Sequence, residues 1–169
     1  GVADSLRQPE EPRFAFIDRL SRPDPAIVVA PSSDSSPFGL RFIFSYFAEY
    51  GDPLFDTEVA SYPEGLLQRL AAAGVNGVWV HTVLRTLAKD TAFPEFGEGC
   101  ERRIAGLRKL VARAEKYGLK IYLYMNEPRT MHHSFFEARP ERAAMRGVAA
   151  AGDTARLCTS HPEVRRWMS

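Results

Sequence analysis

ERRIAGLRKLVARAEKYGLKIYLYM, residues 101–125, holds a helix, its stop and a strand in one unbroken run. Ile104, Leu107, Leu110, Val111 and Ala114 recur at helical spacing. Arg102, Arg103, Arg108, Lys109, Arg113, Glu115 and Lys116 fill the opposite, wet face. Gly118 supplies the left-handed residue that ends a helix, and residues 119–125 switch to an apolar, aromatic strand pattern.

The same unit recurs upstream. Residues 41–47 (RFIFSYF) read as a buried strand. Ser61, Tyr62, Pro63 and Glu64 have capping-box spacing, Leu66, Leu67, Leu70 and Ala73 mark a helical face, and Gly74 stops it. Residues 75–81 (VNGVWVH) are the next strand. Strand, helix, strand, helix, strand with glycine-marked turns predicts right-handed βαβ units and a parallel sheet. A dinucleotide-binding sheet would place a glycine-rich phosphate loop after its first strand, whereas residues 45–53 read SYFAEYGDP. The expected fold class is therefore α/β, a partial (β/α)8 TIM-type barrel comprising the first three or so βα units. Whole barrels need ~250 residues, so the 169-residue chain is expected to be incomplete. Ser160, His161, Pro162 and Glu163 repeat the capping-box pattern and predict one more helix start.

Residues 1–38 are rich in Pro, Ser and charge, with short apolar runs at 14–17 and 27–30. They are assigned to an N-terminal arm or the end of a preceding domain, and residues 39–169 to the N-terminal half of the barrel. The net charge is +1 and charges of both signs are interspersed, which predicts no nucleic-acid partner and no membrane-surface patch. No apolar run reaches the ~20 residues that span a bilayer. Cys100 and Cys158 lack ligand-like spacing and read as free thiols. Cytoplasm is the default compartment.

The carboxyl ends of parallel strands are where such folds hold ligands. Ser45, Tyr46, Glu49, Tyr50 and Asp52 follow the first strand, His81, Thr82 and Arg85 the second, and Tyr124, Asn126, Glu127 and Arg129 the third. Aromatic rings beside carboxylates and amides suit a sugar, whose apolar faces stack and whose hydroxyls need acceptors. The 93–99 loop (FPEFGEG) adds Phe93, Phe96, Glu95 and Glu98. Glu127 is the candidate catalytic residue. Asn126, Arg129, His81, Tyr46, Asp52 and Tyr124 are the candidate substrate contacts. Strand parity leaves two roles for Glu127, because Tyr122, Tyr124 and Asn126 share one face and Ile121, Leu123, Met125 and Glu127 the other. With the Tyr face inward, Asn126 meets ligand and Glu127 braces the loop; with the aliphatic face inward, Glu127 meets ligand. Arg85 reads as a surface residue. His132 and His133 read as loop residues whose adjacency suits no single metal, so no metal and no cofactor are expected.

Four stretches resemble glycoside-hydrolase barrels: RFIFSYFAEYGDP from Arg41, GVNGVWVH from Gly74, YLYMNEPR from Tyr122 and RLCTSHPEVRRWM from Arg156. The likeness is greatest to uncharacterised bacterial proteins allied to the family 20 β-hexosaminidases. It implies the amino-terminal half of a (β/α)8 carbohydrate-active hydrolase, with the remainder of its own barrel or a second copy as partner. The Asn126-Glu127-Pro128 triplet resembles the one that ends the fourth strand in the large retaining glycosidase clan, where its Glu is the acid/base; here it follows the third strand, unless residues 27–30 form an extra one. The family 20 acidic pair would lie beyond Ser169. A non-catalytic carbohydrate-binding or scaffold protein on a degenerate barrel is the alternative. An isomerase or aldolase ranks last, since Lys120 begins its strand instead of ending it.

Overall fold

The computed structural model describes residues 12, 15–30, 36–45, 51–55, 61–125 and 127–169. In chain order the elements are α1 (Ala15–Ser21), β1 (Phe42–Phe44), α2 (Glu64–Ala72), β2 (Gly77–Thr82), α3 (Leu84–Leu87), α4 (Cys100–Glu115) and β3 (Lys120–Met125). β4 (Thr130–His132), α5 (His133–Glu137), a 3-10 turn (Pro140–Met145), β5 (Arg146–Ala149), β6 (Thr154–Leu157) and α6 (Pro162–Met168) follow. The architecture is mixed α/β, with a parallel three-stranded sheet β1-β2-β3 and an antiparallel sheet β4-β6-β5. The chain divides into two units: residues 1–81 with 102–124, and residues 82–101 with 125–169.

The first unit is the βαβαβ run that the periodicity predicts. β1 and β2 pair in parallel from Phe42↔Gly77 to Phe44↔Trp79. Gly74 and Gly118 take positive φ, +87° and +71°, as helix-ending glycines do. Val78 and Val80 of β2 are buried, together with Leu67 and Ala71 of α2 and Leu110 and Ala114 of α4. The alternate β2 residues, Trp79 and His81, are half-buried on the other face. Asn76 holds the entry to the sheet: its side chain accepts from the Arg41 N–H (2.7 Å) and donates to the Gly39 carbonyl (2.8 Å). No strand occurs among described residues ahead of β1, so residues 27–30 add none. Residues 15–30 instead dock on α2, where the buried Gln68 donates to the Asp24 and Ile27 carbonyls and accepts from the Asp24 N–H.

Two capping boxes are corrected. Pro63 is the N-cap of α2 and His161 that of α6, neither with a side-chain cap bond. Each proline takes a position at or next to the start, where its missing N–H is no loss. Ser61 donates to the Pro53 carbonyl instead. Glu64 turns to Lys116 (3.0 Å) and Tyr117 (3.2 Å), and the Lys116 hydrogen bond holds its carboxyl below the usual range.

Between Ser61 and Pro63 lies a residue whose importance no pattern announced. Tyr62 is fully buried; its O–H donates to the Trp79 carbonyl (2.6 Å) and its oxygen accepts from the Ser45 N–H (2.9 Å). It thus joins the ends of β1 and β2. Burial pushes its phenol up to about 12 from 10.0. Because the folded pKa is raised, the stabilisation is complete below the unfolded value near pH 10 and is lost as pH rises through about 12. The Tyr62→Phe variant is expected to be less stable by about 1–3 kcal/mol at neutral pH, since two backbone groups lose their partner. It should also show a shallower alkaline loss of stability between pH 10 and 12, measured by urea unfolding across that range.

The second unit contains what the periodicity did not foresee. β4 and β6 pair antiparallel, Thr130↔Arg156 to His132↔Thr154, and β5 pairs with β6 through an irregular register. His132 therefore lies in a strand and His133 opens a helix, correcting the loop assignment. Strands of three and four residues show too few alternations to register as a period. Phe93, Phe96, Phe136, Met145, Leu157, Val164 and Trp167 form the core.

Candidate functional site

Alternation along three parallel strands puts a row of rings on one face of the first sheet. Phe42 meets Tyr122 (centroids 5.8 Å apart), Phe44 stacks on Trp79 (4.1 Å), and Tyr124 lies 5.5 Å from both Trp79 and His81. Gly77 makes the row possible, since a Cβ there would lie 2.6 Å from the Tyr122 ring. The Tyr face of β3 is therefore the face shared with Trp79 and His81, opposite the buried Val78 and Val80. Tyr124 is 52% exposed, and at the carboxyl edge His81 is half-buried with its Nε2 enclosed and without a hydrogen-bond partner. A sugar ring can stack on Tyr124 and Trp79, and the imidazole can meet it through Nδ1, since Nε2 is enclosed.

Asp52 belongs to the same unit but has other work. Its carboxylate pairs with Arg103 at 2.5 Å and accepts from the Leu54 N–H (3.1 Å). The Arg103 guanidinium lies over the Phe55 ring, 4.5 Å from its centroid. Tyr46 and Asn126 lie outside the described residues.

The loop after β3 belongs to the second unit. There Glu127 is half-buried, and both of its carboxylate oxygens accept backbone N–H groups: Oε1 from Leu84 (2.6 Å) and Oε2 from Arg129 (2.8 Å). These are the contacts of a loop brace, the role that the Tyr-inward parity assigns. Arg85, read from sequence as a surface residue, is half-buried and donates to the Thr130 carbonyl (3.1 Å) and to Met131 Sδ (2.7 Å). Its own carbonyl accepts from the Gly97 N–H (2.7 Å). Arg129 is half-buried, and its guanidinium meets no acceptor among the described residues.

The 93–99 loop does not serve as a sugar platform. Phe93 and Phe96 are buried and stack on each other at 4.8 Å, because an exposed stretch of this size gains more from core burial than from solvent contact. Glu95 forms a bidentate pair with the buried Arg142, 2.6 and 2.9 Å. Burial pushes its carboxyl up, and the Arg142 guanidinium more than offsets this, leaving it below the ordinary range. His132 Nδ1 accepts from the Ser134 N–H at the start of α5, and its ring centroid is 6.5 Å from that of His133. Among described residues no three His, Cys, Asp or Glu side chains converge as metal ligands. Nor is any described helix long and apolar enough to cross a membrane.

A hollow of about 650 Å³ opens at the amino end of the strands, lined by Arg41, Asn76, Lys116 and Tyr117 among others. Arg41 already donates to the Gly74 and Phe38 carbonyls, and Lys116 pairs with Glu64. Its polar groups are thus engaged within the fold.

No protein-family model, curated protein or solved structure matches this chain.

Sequence reasoning singled out His81 and Tyr124 from their strand-end positions, and their rings lie 5.5 Å apart on one face. It passed over Trp79, although the period of two that places His81 on that face places Trp79 there as well. The roles of Tyr62 and Arg85 carried no local signal, since each depends on partners distant in sequence.

Proposed function

We propose that this chain is part of a carbohydrate-active glycoside hydrolase, and that its parallel sheet is a portion of a (β/α)8 barrel with the ring-bearing face inward. The observation that carries the reading is the aromatic row ending at Trp79, Tyr124 and His81 on the carboxyl edge. Stacked rings beside a hydrogen-bonding imidazole suit the two faces and the hydroxyls of a pyranose. Further support is the exposed apolar surface of the sheet, with Phe42, Ile43, Leu123 and Met125 each 38–52% exposed, which additional strands would cover. Those strands would come from the same protein or a second copy.

In such an enzyme a carboxylic acid protonates the glycosidic oxygen, and a second group stabilises the oxocarbenium-like transition state. Glu127 is the carboxylate that sequence reasoning offers for the first task. To perform it the residue must release a backbone N–H.

The second reading is a non-catalytic carbohydrate-binding protein on the same scaffold. It is favoured by the engagement of Glu127 with two N–H groups and of Asp52 with Arg103.

One experiment addresses both. Wild-type and Trp79→Ala protein are titrated with a panel of neutral oligosaccharides and assayed for release of reducing ends. The expected result is saccharide binding that weakens about 10- to 100-fold in Trp79→Ala, from loss of a stacking surface worth ~1–3 kcal/mol. Binding with turnover supports the hydrolase; binding without it supports the second reading; no binding to any saccharide overturns both.

A further inference from the structure

We propose that Asn76 is a modification site: it loses its side-chain amide as ammonia through a succinimide formed with the Gly77 nitrogen, with water as the only co-reactant. The imide closes when the nitrogen that follows an asparagine reaches its side-chain carbon, and glycine adds no side chain to obstruct the approach. Asn126, the other asparagine of the chain, precedes glutamate, whose side chain hinders the same closure. The fold requires both residues of the Asn76-Gly77 pair, for separate reasons. At 76 the side-chain oxygen accepts from the Arg41 N–H (2.7 Å) and the side-chain nitrogen donates to the Gly39 carbonyl (2.8 Å), a combination that a carboxamide supplies and a carboxylate does not. At 77 a Cβ would lie 2.6 Å from the Tyr122 ring. The entry to the parallel sheet thus rests on a chemically weak dipeptide.

In the closed sheet the Asn76 backbone is held as well: its N–H donates to the Arg41 carbonyl (2.9 Å) and its carbonyl accepts from the Lys120 N–H (3.1 Å). Ring closure therefore needs this edge to open. β1 has three residues, and its Phe42 and Ile43 are 52% and 44% exposed. Few buried contacts hold it, which places the opening at the low end of the stability range. Asn76 also lines the hollow at the amino end of the strands, where water reaches it. In the open form hydroxide removes the Gly77 N–H proton, and the nitrogen pair bonds to Asn76 Cγ. The Cγ–Nδ2 bond breaks, and its nitrogen leaves as ammonia with a proton from water, which restores the hydroxide. Water then splits one of the two imide C–N bonds, giving aspartate or isoaspartate. Neither product can donate to the Gly39 carbonyl. The isoaspartyl link also adds a methylene to the main chain between residues 76 and 77, which shifts the Phe42↔Gly77 pairing.

The test holds the folded full chain at mildly alkaline pH and follows the peptides that contain Asn76 and Asn126 by mass. Methylation by an isoaspartate-specific methyltransferase is the second readout. The expected result is conversion of Asn76 at least about tenfold faster than that of Asn126, with isoaspartate among the products. The converted fraction carries an added negative charge and separates by ion exchange. In it the Lys120 amide should exchange about tenfold or more faster than in the unconverted protein, as a weakened backbone bond requires. An Asn76 that stays intact in the folded chain while the urea-unfolded chain converts overturns the inference, and so does conversion of Asn126 at the same rate. A converted fraction with unchanged exchange at Lys120 overturns the loosening of the sheet entry.

Discussion

Gly65→Ala is expected to be the most destabilising single-methyl change in the first unit, lowering stability by about 3 kcal/mol or more. The added Cβ would lie 2.1 Å from the Arg22 carbonyl oxygen and 2.6 Å from that of Leu20. Both neighbours are backbone, so no side chain can swing away; either α2 shifts or the 15–30 segment leaves it. Loss of that docking also strips the buried Gln68 amide of its Asp24 and Ile27 partners. Urea unfolding followed by circular dichroism measures the loss, and amide exchange at Asp24 reports whether the segment has detached. Gly39→Ala is the control, because its Cβ would meet nothing within 4 Å; its effect should stay within about 0.5 kcal/mol. A Gly65→Ala protein as stable as wild type would mean that the close approach of α1 and α2 does not exist in solution.

Glu127→Gln separates the two roles of the residue that sequence reasoning put first. A carboxylate accepts at both oxygens; an amide presents N–H₂ where one of them stood, facing either the Leu84 or the Arg129 N–H. The expected outcome is exchange at one of the two, Leu84 or Arg129, faster by about tenfold or more, corresponding to the ~1–3 kcal/mol cost of an unpaired donor. If the protein acts as the proposed hydrolase, the effect should then fall mainly on KM through the loosened loop. A fall in kcat of about a hundredfold or more, with KM and amide protection unchanged, would instead identify Glu127 as the acid/base and overturn the brace assignment.

Much of this was legible in residues that speak locally. The helical faces of Leu66, Leu67 and Leu70 and of Ile104, Leu107 and Leu110, each closed by a glycine, specify the parallel sheet by patterning alone. Strand ends then named His81 and Tyr124. Capping was less legible: Ser61 and Ser160 have capping-box spacing, yet proline moves each helix start, and Ser61 donates to the Pro53 carbonyl instead. The antiparallel sheet was illegible because β4, β5 and β6 are too short to display a period and draw their order from pairing with one another.

The sequence by itself determined the strand–helix alternation and the helix stops, since each depends on residues within a few positions of one another; the shared face of Trp79, His81 and Tyr124 came from the pairing of their strands. Only the tertiary structure decided how the polar groups are spent. Asp52 meets Arg103, Glu95 meets Arg142, Tyr62 bridges two strands, and Glu127 grips Leu84. Those partners are 17 to 51 positions apart, and a carboxylate's chemistry depends on which donor the fold delivers to it, a matter that no local pattern encodes.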